Sequence, residues 1–242
     1  MRILLTRTLS QVQPLQILLS EQGYQPVLFP TLEIKPINNK PLKVNYDALI
    51  FISANAVEYG LKTLKILDYQ SAKIFAVGAA TAKKLEEQDI QVDAFPTPKA
   101  SSEALLAMSE LQALRHQSVL IFRGKGGRET LKEVLGKNNE VEYIEVYQRV
   151  PCHITSLHRN SLLKFLQSNQ GIVTATSIEN LSALVSMVKQ IDLEALHLIQ
   201  RYPLVVLSQR IKIFAQSIGF NQIKVATKTF DEGLFKAIQG SL

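Results

Sequence analysis

Short apolar runs alternate with amphipathic, helix-type patterns along almost the whole chain. The apolar runs are predicted strands: 3–5, 27–29, 48–52, 74–77, 119–122, 172–173, 204–207 and 224–226. The amphipathic stretches are predicted helices: 10–22, 57–67, 81–88, 101–111, 129–135, 178–188, 210–218 and 231–238. Strands that alternate with helices in this way predict an α/β fold, with mainly parallel sheets covered by helices on both faces.

Two longer extended segments interrupt this alternation. Residues 29–37 and 142–151 alternate apolar and polar positions, and prolines at their ends exclude helix. Each segment is long enough to leave one domain and enter another. As a pair they are predicted to form a two-stranded connector at about 32–38 and 143–151.

The connector divides the chain into two predicted domains. Residues 39–147 form a domain inserted into another domain, which is made of 1–35 plus 152–242. Both domains repeat one order of parts: a strand, a turn with hydroxyl side chains, a helix, a second strand and a second turn of small residues. We therefore predict two similar three-layer α/β domains with parallel sheets, with a cleft between them.

The composition is that of a folded protein with a sizeable core. Of the 242 residues, 46% are hydrophobic and 20% are charged, so disorder is not expected. No apolar run approaches the roughly 18 residues of a membrane span, and the first residues lack the apolar stretch of a signal peptide. The lone Cys152 excludes an internal disulfide. We therefore expect a cytoplasmic protein without a membrane partner.

The charge balance favours an anionic small molecule as the ligand. The chain has 27 Lys and Arg against 21 Asp and Glu, a net charge of +6 that attracts polyanions. No block of five consecutive basic residues occurs, and aromatic residues make up only 7%, with no Trp. The stacking surfaces of single-strand nucleic-acid binders are therefore not evident, and no nucleic-acid partner is expected.

Polar turns follow many of the predicted strands, at the sheet edge where open α/β folds bind their ligands. These turns are Thr6-Arg7-Thr8, Ser53-Ala54-Asn55, Gly78-Ala79-Ala80-Thr81, Arg123–Arg128, Thr176-Ser177 and Ser208-Gln209-Arg210. Each of them alone is also explained as an ordinary helix N-cap. Their recurrence in both domains, with Arg and Lys among them, favours a ligand site.

The turn Arg123–Arg128 has the strongest local pattern for an anion. Its three glycines allow the backbone to approach a ligand closely, and three cations accompany them. The spacing matches neither a P-loop nor the dinucleotide-binding fingerprint. Recognition of a phosphate or carboxylate and a merely solvated, flexible turn both stay open.

Other familiar catalytic patterns are absent from the sequence. Cys152, His153 and His158 lie close together, but no second group of ligands completes a zinc site, and we expect them at the surface beside Pro151. Tyr147 stands at the end of the connector, where its phenol can donate or accept a proton. By position alone, Tyr147 is also explained as a packing residue at a domain junction.

Six groups of residues carry a resemblance that spans essentially the whole chain. They are Leu49–Val57; Ala76-Val77-Gly78 with Thr81-Ala82; Leu120–Gly124 with Gly127-Arg128; Val146–Arg149 before a proline; Ser208–Arg210 leading to Gly219-Phe220; and Asp231–Leu234. None of these motifs is specific by itself. In combination and in this order, they resemble the uroporphyrinogen-III synthase family.

The resemblance implies a cofactor-free, monomeric enzyme of tetrapyrrole biosynthesis that uses no metal. Its substrate would be hydroxymethylbilane (preuroporphyrinogen), a linear tetrapyrrole with eight carboxylates. The product would be uroporphyrinogen III, formed by ring closure, loss of water and inversion of the terminal D ring, which is the reaction of a hydro-lyase. A transient contact with hydroxymethylbilane synthase, the source of the substrate, is also expected.

The family's motifs imply roles for individual residues. Tyr147 matches the Val-Tyr segment and is implied as the proton donor that helps the terminal hydroxyl to leave. Thr81 matches the threonine of the Val-Gly-x-x-Thr-Ala turn, as a hydroxyl or N-cap contact to substrate, and Ser53 and Asn55 lie in the first turn. The remaining implied substrate contacts are Arg7, Arg123 and Lys125, as carboxylate partners, and Thr176, Ser177, Ser208 and Arg210, on the opposite wall.

A function of another class fits the same architecture. A bilobed α/β module can capture an anionic small molecule without catalysing a reaction. Such modules usually carry an export signal, which is not evident in this sequence. The formation of one porphyrinogen isomer rather than another distinguishes the enzyme from the binding module.

Overall fold

The structure is a computed structural model that describes residues 1–168, 170–228 and 231–241. Its strands are β1 (Arg2–Leu5), β2 (Gln25–Leu28), β3 (Leu32–Pro36), β4 (Ala48–Phe51), β5 (Lys73–Ala76), β6 (Ser118–Gly124), β7 (Glu140–Pro151), β8 (Gly171–Ala175), β9 (Leu204–Val206) and β10 (Ile223–Val225). Its helices are α1 (Leu9–Glu21), α2 (Ala54–Leu64), α3 (Ala79–Glu86), α4 (Ser102–Leu106), α5 (Ser109–Gln112), α6 (Thr130–Leu135), α7 (Ser156–Leu166), α8 (Ile178–Ile191), α9 (Leu193–Ile199), α10 (Gln209–Ser217) and α11 (Asp231–Gln239). Over the described residues, no helix is both long enough and apolar enough to cross a bilayer.

The chain divides into two compact units, each built on its own five-stranded sheet. The first unit comprises Met1–Glu33 and Val150–Leu242, and the second unit comprises Ile34–Arg149. The chain passes from one unit to the other within β3 and again within β7. These two strands are neighbours in the sheet of the second unit.

The sheet of the first unit has the strand order β10-β9-β8-β1-β2, and all its neighbouring strands are parallel. The central strand β1 is apolar on both sides. Leu4 packs into one buried cluster, whereas Ile3 and Leu5 pack into another. Because consecutive side chains of a strand point to opposite faces, such a strand requires cover on both faces, as the sequence predicted.

The sheet of the second unit has the order β3-β7-β6-β4-β5, and β7, β6, β4 and β5 run parallel. Ala48 and Ile50 of β4 pack on one face, and Leu49 and Phe51 on the other. Phe51 stacks on Phe122 of β6 with a distance of 4.3 Å between the ring centroids. The predicted α/β fold with two mainly parallel sheets is confirmed.

The helix predicted over 101–111 is in fact two short helices, α4 and α5. Leu105 and Leu111 are both buried in the same cluster. On one continuous α-helix, six residues turn through about 240°, so these two side chains would point in different directions. Extended backbone at Met108 (φ −75°, ψ 141°) interrupts the helix, and both leucines reach the core.

Helices α7 and α9 were not predicted from the sequence. Only Asp192 separates α8 from α9, and its carboxylate accepts a hydrogen bond from the N–H of Glu194 at 2.9 Å. In α7, Nδ1 of His158 accepts the N–H of Thr155 at 3.1 Å, a position that glutamate or glutamine takes in the usual capping box. His158 is 3% exposed, with its Nε2 at 2.9 Å from the carbonyl oxygen of Pro30, and its predicted surface position is wrong.

Candidate active site

Three neighbouring strands of the second sheet bring a serine, a glycine and a tyrosine together. Ser53 follows β4, Gly124 ends β6, and Tyr147 lies in β7. Ligands of open α/β sheets bind at the carboxyl ends of such parallel strands. Ser53 Oγ and Tyr147 Oη lie 3.2 Å apart, within hydrogen-bond distance. The sequence predicted both hydroxyl residues as site residues, but it did not predict that they would be in contact.

A shift in strand register decides which face of the sheet Tyr147 occupies. Arg123 pairs with Glu145, whereas the next residue, Gly124, pairs with Tyr147, so Val146 is an extra residue in β7. Strict alternation would place Tyr147 and Val146 on opposite faces. Both instead belong to one buried cluster. The bulge therefore turns the phenol towards Ser53, in line with the general use of bulges to redirect a side chain.

Gly124 lies directly against the phenol ring of Tyr147. A Cβ atom at this position would be 2.5 Å from Cζ and 2.9 Å from Oη of Tyr147. Both distances are well inside van der Waals contact, so the ring fits here only beside a residue without a side chain. The carbonyl of Tyr147 also accepts the N–H of Lys125 at 2.7 Å. Backbone contacts on this side therefore fix the position of the tyrosine.

The rest of the phenol's surroundings are aromatic and cationic. Tyr147 is only 4% exposed, and its ring centroid lies 5.9 Å from that of Tyr59. The guanidinium carbon of Arg149 lies 5.8 Å from the centroid of Tyr147, within the range of cation–π attraction. Burial raises the pKa of Tyr59, so this neighbouring ring stays neutral. Arg149 thus brings a positive charge close to the ring of Tyr147.

Ser53 serves both the helix and the phenol. Its Oγ accepts the N–H of Ala56 at 3.0 Å and thereby caps α2. A hydroxyl oxygen that already accepts this N–H directs its own proton elsewhere, and Oη of Tyr147 is its other partner among the described residues. When Ser53 donates to Oη, the phenol proton of Tyr147 is free for a third group. The arrangement can thus present a neutral phenol as a proton donor.

Asn55 and Thr81 occupy the neighbouring helices. Asn55 is partly exposed in the first turn of α2. Thr81 is the third residue of α3 and is 4% exposed, and the residue before that helix, its N-cap, is Gly78. A Cβ atom on Gly78 would lie 2.3 Å from that of Ala100, so glycine is required there. The N-cap role predicted for Thr81 is therefore wrong, whereas its contact with substrate stays a prediction.

Arg123 and Lys125 differ in their surroundings although only one residue separates them. The side chain of Arg123 is 4% exposed, and its Nη1 donates to Oε1 of Glu129 at 2.8 Å. Its guanidinium carbon lies 4.2 Å from the ring centroid of Tyr143. Lys125 is exposed, and its ammonium forms no ion pair with any residue that the structure describes. The role of each as a carboxylate partner stays a prediction.

Other predicted contacts lie at the carboxyl edge of the first sheet. Ser177 and Ser208 are the N-caps of α8 and α10, and their Oγ atoms accept the N–H groups of Asn180 at 3.0 Å and of Ile211 at 3.4 Å. Thr176 is partly exposed, and its N–H donates to Oδ1 of Asn180 at 3.3 Å. These hydrogen bonds show that the oxygen atoms of both serines serve their own helices.

Two predicted arginine contacts also belong to the first unit. Arg7, which follows β1, donates to the carboxylate of Asp231 and is mostly buried. Arg210 is exposed in the first turn of α10. A ligand would reach the guanidinium of Arg210 directly, whereas at Arg7 it would compete with Asp231.

Sequence reasoning missed residues that position the predicted ones. Gly124 was part of a glycine-rich turn, but its contact with Tyr147 was not foreseen. A glycine at the end of a strand often marks the close approach of another group, and this was the available indication. Glu129, the partner of Arg123, and Arg149, beside Tyr147, gave no comparable indication, because their contacts depend on how the strands pair.

Known proteins of one family match this chain along most of its length. A family model described as uroporphyrinogen-III synthase HemD matches residues 13–236. The uroporphyrinogen-III synthase of Escherichia coli (strain K12) is 30% identical over an alignment of 250 positions, which covers 99% of this chain and 100% of that relative. The corresponding protein of Salmonella typhimurium (strain LT2) is 33% identical over 168 residues, which cover 69% of this chain and 67% of that relative.

A solved structure supports the fold. The crystal structure of uroporphyrinogen-III synthetase from Helicobacter pylori 26695 matches with a TM-score of 0.65 and 20% identity, covering 99% of this chain and 98% of that one. At this identity the match shows a shared fold. The family model and the relatives confirm the resemblance found in the sequence: this chain belongs to the uroporphyrinogen-III synthase family.

Proposed function

We propose that this protein converts hydroxymethylbilane into uroporphyrinogen III, with loss of water and inversion of ring D, as a hydro-lyase. Membership of the family supports this reaction. The observation that carries the proposed chemistry is the buried phenol of Tyr147, held by Ser53 and Gly124 at the carboxyl edge of the second sheet. This group is suited to donate one proton at a defined position.

In the proposed first step, the phenol of Tyr147 protonates the terminal hydroxyl of the substrate. The carbon–oxygen bond then breaks, its electron pair leaves with water, and the pyrrole nitrogen, which keeps its proton, supplies the electrons that form an azafulvenium cation. Ser53 assists by donating a hydrogen bond to Oη, because this bond stabilises the phenolate that forms on Tyr147. A hydrogen bond to a charged oxygen is stronger than one to a neutral oxygen.

The next steps rearrange the carbon skeleton. The substituted carbon of ring D attacks the azafulvenium cation and gives a protonated spiro pyrrolenine, which fragments and recloses with ring D inverted. Ring D finally releases a proton, and this proton restores the phenol of Tyr147. One proton is thus donated and one is recovered, so that water is the sole by-product.

Control over conformation is the larger part of the proposed catalysis. The free substrate closes by itself to the isomer without inversion, so the enzyme must hold a geometry from which the inverted product forms. The net charge of +6 attracts a substrate with eight carboxylates. We propose Asn55, Thr81 and Lys125 as contacts in the second unit. In the first unit, we propose the set Arg7, Thr176, Ser177, Ser208 and Arg210.

We propose further that the protein acts as a monomer in the cytoplasm and receives its substrate through transient contact with hydroxymethylbilane synthase. The short life of the free substrate supports direct supply, because the linear tetrapyrrole closes without an enzyme. No cofactor enters the proposed reaction.

The decisive experiment measures which isomer forms. Hydroxymethylbilane is generated in situ with and without this protein, the products are oxidised, and porphyrin isomers I and III are separated by chromatography. We expect isomer III to predominate only when the protein is present. Isomer I alone, in the presence of folded protein, would contradict the proposed function and favour a binding module without catalysis.

A further inference from the structure

The second unit contains a cavity that the proposed proton donor does not line. It has a volume of about 280 Å³ and opens beside Ile52 and Val77, the residues that follow β4 and β5. Arg123, Arg128 and Tyr143 also line it. Ile52 and Tyr143 pack against a different core cluster from that of Tyr147, so the cavity belongs to the other face of the same sheet.

Arg123 brings a buried positive charge to this cavity. Burial of a charge is costly unless hydrogen bonds and an opposite charge compensate it. Nη1 donates to Glu129 at 2.8 Å, and Nε donates to the carbonyl of Gly124 at 3.2 Å. These two bonds use Nε and Nη1, and Nη2 takes part in neither of them. The guanidinium therefore keeps donor capacity for a further acceptor.

The partners of both arginines in the cavity are carboxylates that water reaches easily. Arg128 donates to Glu103 at 2.5 Å. The side chains of Glu103 and Glu129 are 55% and 53% exposed, respectively. The pair of Arg128 with Glu103 is exposed on both sides and is therefore weak, whereas Glu129 regains full contact with water once another carboxylate compensates the buried charge of Arg123. Another carboxylate can therefore replace these two at little cost.

Tyr143 keeps Arg123 in place during such an exchange. Its ring stacks against the guanidinium, and its Oη accepts the N–H of Lys132 at 3.1 Å. Burial raises the pKa of Tyr143, so that the ring stays uncharged. The contact with an aromatic face holds the arginine whether or not Glu129 is bound to it.

We propose that this cavity is a subsite for one pyrrole ring of the substrate, in which Arg123 and Arg128 bind the acetate and propionate carboxylates in place of Glu129 and Glu103. The proposal rests on the proposed function, which supplies a substrate with two carboxylates on each ring. The volume of about 280 Å³ is near the lower end of small-molecule pockets, which begin at about 300 Å³, and fits a part of the tetrapyrrole. The two glutamates are then internal competitors of the substrate.

Two variants with opposite expected effects test this subsite. Arg128→Gln removes a carboxylate partner on the surface, and we expect KM to rise about tenfold, with kcat and the isomer ratio unchanged. Glu129→Gln removes an internal competitor, and we expect KM to fall about threefold. Lys137→Gln is the control for Arg128→Gln, because it also removes one positive charge, at an exposed residue that does not line the cavity.

A purely structural role of the ion pairs gives a different result. Glu129→Gln would then lower the stability or leave KM unchanged, and a KM that does not fall would contradict the proposal. An increase in KM of the same size in Arg128→Gln and Lys137→Gln would likewise contradict the proposal, because net charge alone would then explain the change.

A direct binding measurement distinguishes a failure of the proposed subsite from a failure of the proposed reaction. The probe is a monopyrrole with one acetate and one propionate side chain, measured by isothermal titration calorimetry, and its dimethyl ester is the control. We expect the diacid to bind, the ester not to bind, and Arg128→Gln to weaken the diacid about tenfold. This pattern together with isomer I alone in the assay would retain the subsite and reject the synthase reaction. Equal binding of the diacid to the wild type and to Arg128→Gln would overturn the subsite.

Discussion

The carboxyl edges of the two sheets carry similar hydroxyl residues but use them differently. In the first unit, Nδ2 of Asn180 donates to the carbonyl of Thr6 at 2.7 Å and to Oγ1 of Thr31 at 2.6 Å. Its Oδ1 lies 2.6 Å from Oγ1 of Thr6 and accepts the N–H of Thr176 at 3.3 Å. Asn180 is 3% exposed, and each of its polar atoms makes two such contacts. This network is closed.

The edge of the second unit is open by comparison. Ser53 and Tyr147 are hydrogen-bonded to each other, but the phenol proton remains available when Ser53 is the donor. Arg123 uses only part of its donor capacity, and Lys125 has no ion pair with any described residue. A hydroxyl at the end of a strand therefore does not by itself indicate a functional site. Whether its hydrogen bonds are all internal separates a structural network from a candidate site.

The largest expected effect comes from removing the side chain at the centre of the closed network, which tests whether this network stabilises the fold. Asn180→Ala breaks several buried hydrogen bonds and leaves partners without a replacement, so we expect a loss of about 3 kcal/mol in the free energy of unfolding. Urea denaturation measures it. Gln190→Ala is the control, since Gln190 is exposed in the same helix. A loss below 1 kcal/mol, or an equal loss in the control, would show that the network is not a main source of stability.

Removing one hydroxyl tests the open edge. Tyr147→Phe keeps the ring that packs against Gly124 but deletes the proposed proton donor, and we expect kcat for isomer III to fall about a hundredfold. The unfolding midpoint should change little. Tyr69→Phe, which lies in the same unit outside the candidate site, should retain full activity. Normal turnover in Tyr147→Phe would remove this residue from the proposed chemistry.

Adding one methyl group beside the phenol tests whether position matters as well as chemistry. Gly124→Ala places a Cβ atom in the volume of the Tyr147 ring, so we expect the hydroxyl to move and kcat to fall about tenfold. Gly126→Ala is the control: its φ of +67° makes alanine strained, but no atom lies within 4 Å of the new Cβ. It should lower stability and leave activity per folded molecule unchanged.

A double variant isolates the cause of that loss. If Gly124→Ala acts through the phenol, it should cost little further activity when combined with Tyr147→Phe, because the affected hydroxyl is already absent. Equal losses in the presence and absence of the hydroxyl would show that Gly124 acts elsewhere.

The fold was largely accessible from the sequence. Apolar strands alternating with amphipathic helices give a parallel α/β fold, because each such strand must be covered on both faces. What escaped prediction is a helix break that the packing of the core requires and a helix cap of an unusual residue type. The break at Met108 follows from the joint burial of Leu105 and Leu111, and the cap by His158 replaces the usual acidic residue.

The candidate site was predicted in part. Tyr147, Ser53 and Thr81 could be named from their turns and from the family resemblance. The face that Tyr147 occupies could not be predicted, because a bulge at Val146 overrides strict alternation and arises from the pairing of β6 with β7. Nor could the sequence show that Arg123 is buried.

The smallest expected effect is at Ser53, where the structural and the chemical role meet in one hydroxyl. Ser53→Ala removes the N-cap of α2, and we expect a loss of about 1 kcal/mol in the free energy of unfolding. It also removes the hydrogen bond to Tyr147, for which we expect kcat to fall about threefold. Asp192→Ala is the control, because it removes the N-cap of α9 in the first unit. We expect a similar loss of stability in both variants and lower activity per folded molecule in Ser53→Ala alone. This result would show that Ser53 acts both as a helix cap and in catalysis. Unchanged activity in Ser53→Ala would make Ser53 a cap of the same kind as those in the first unit.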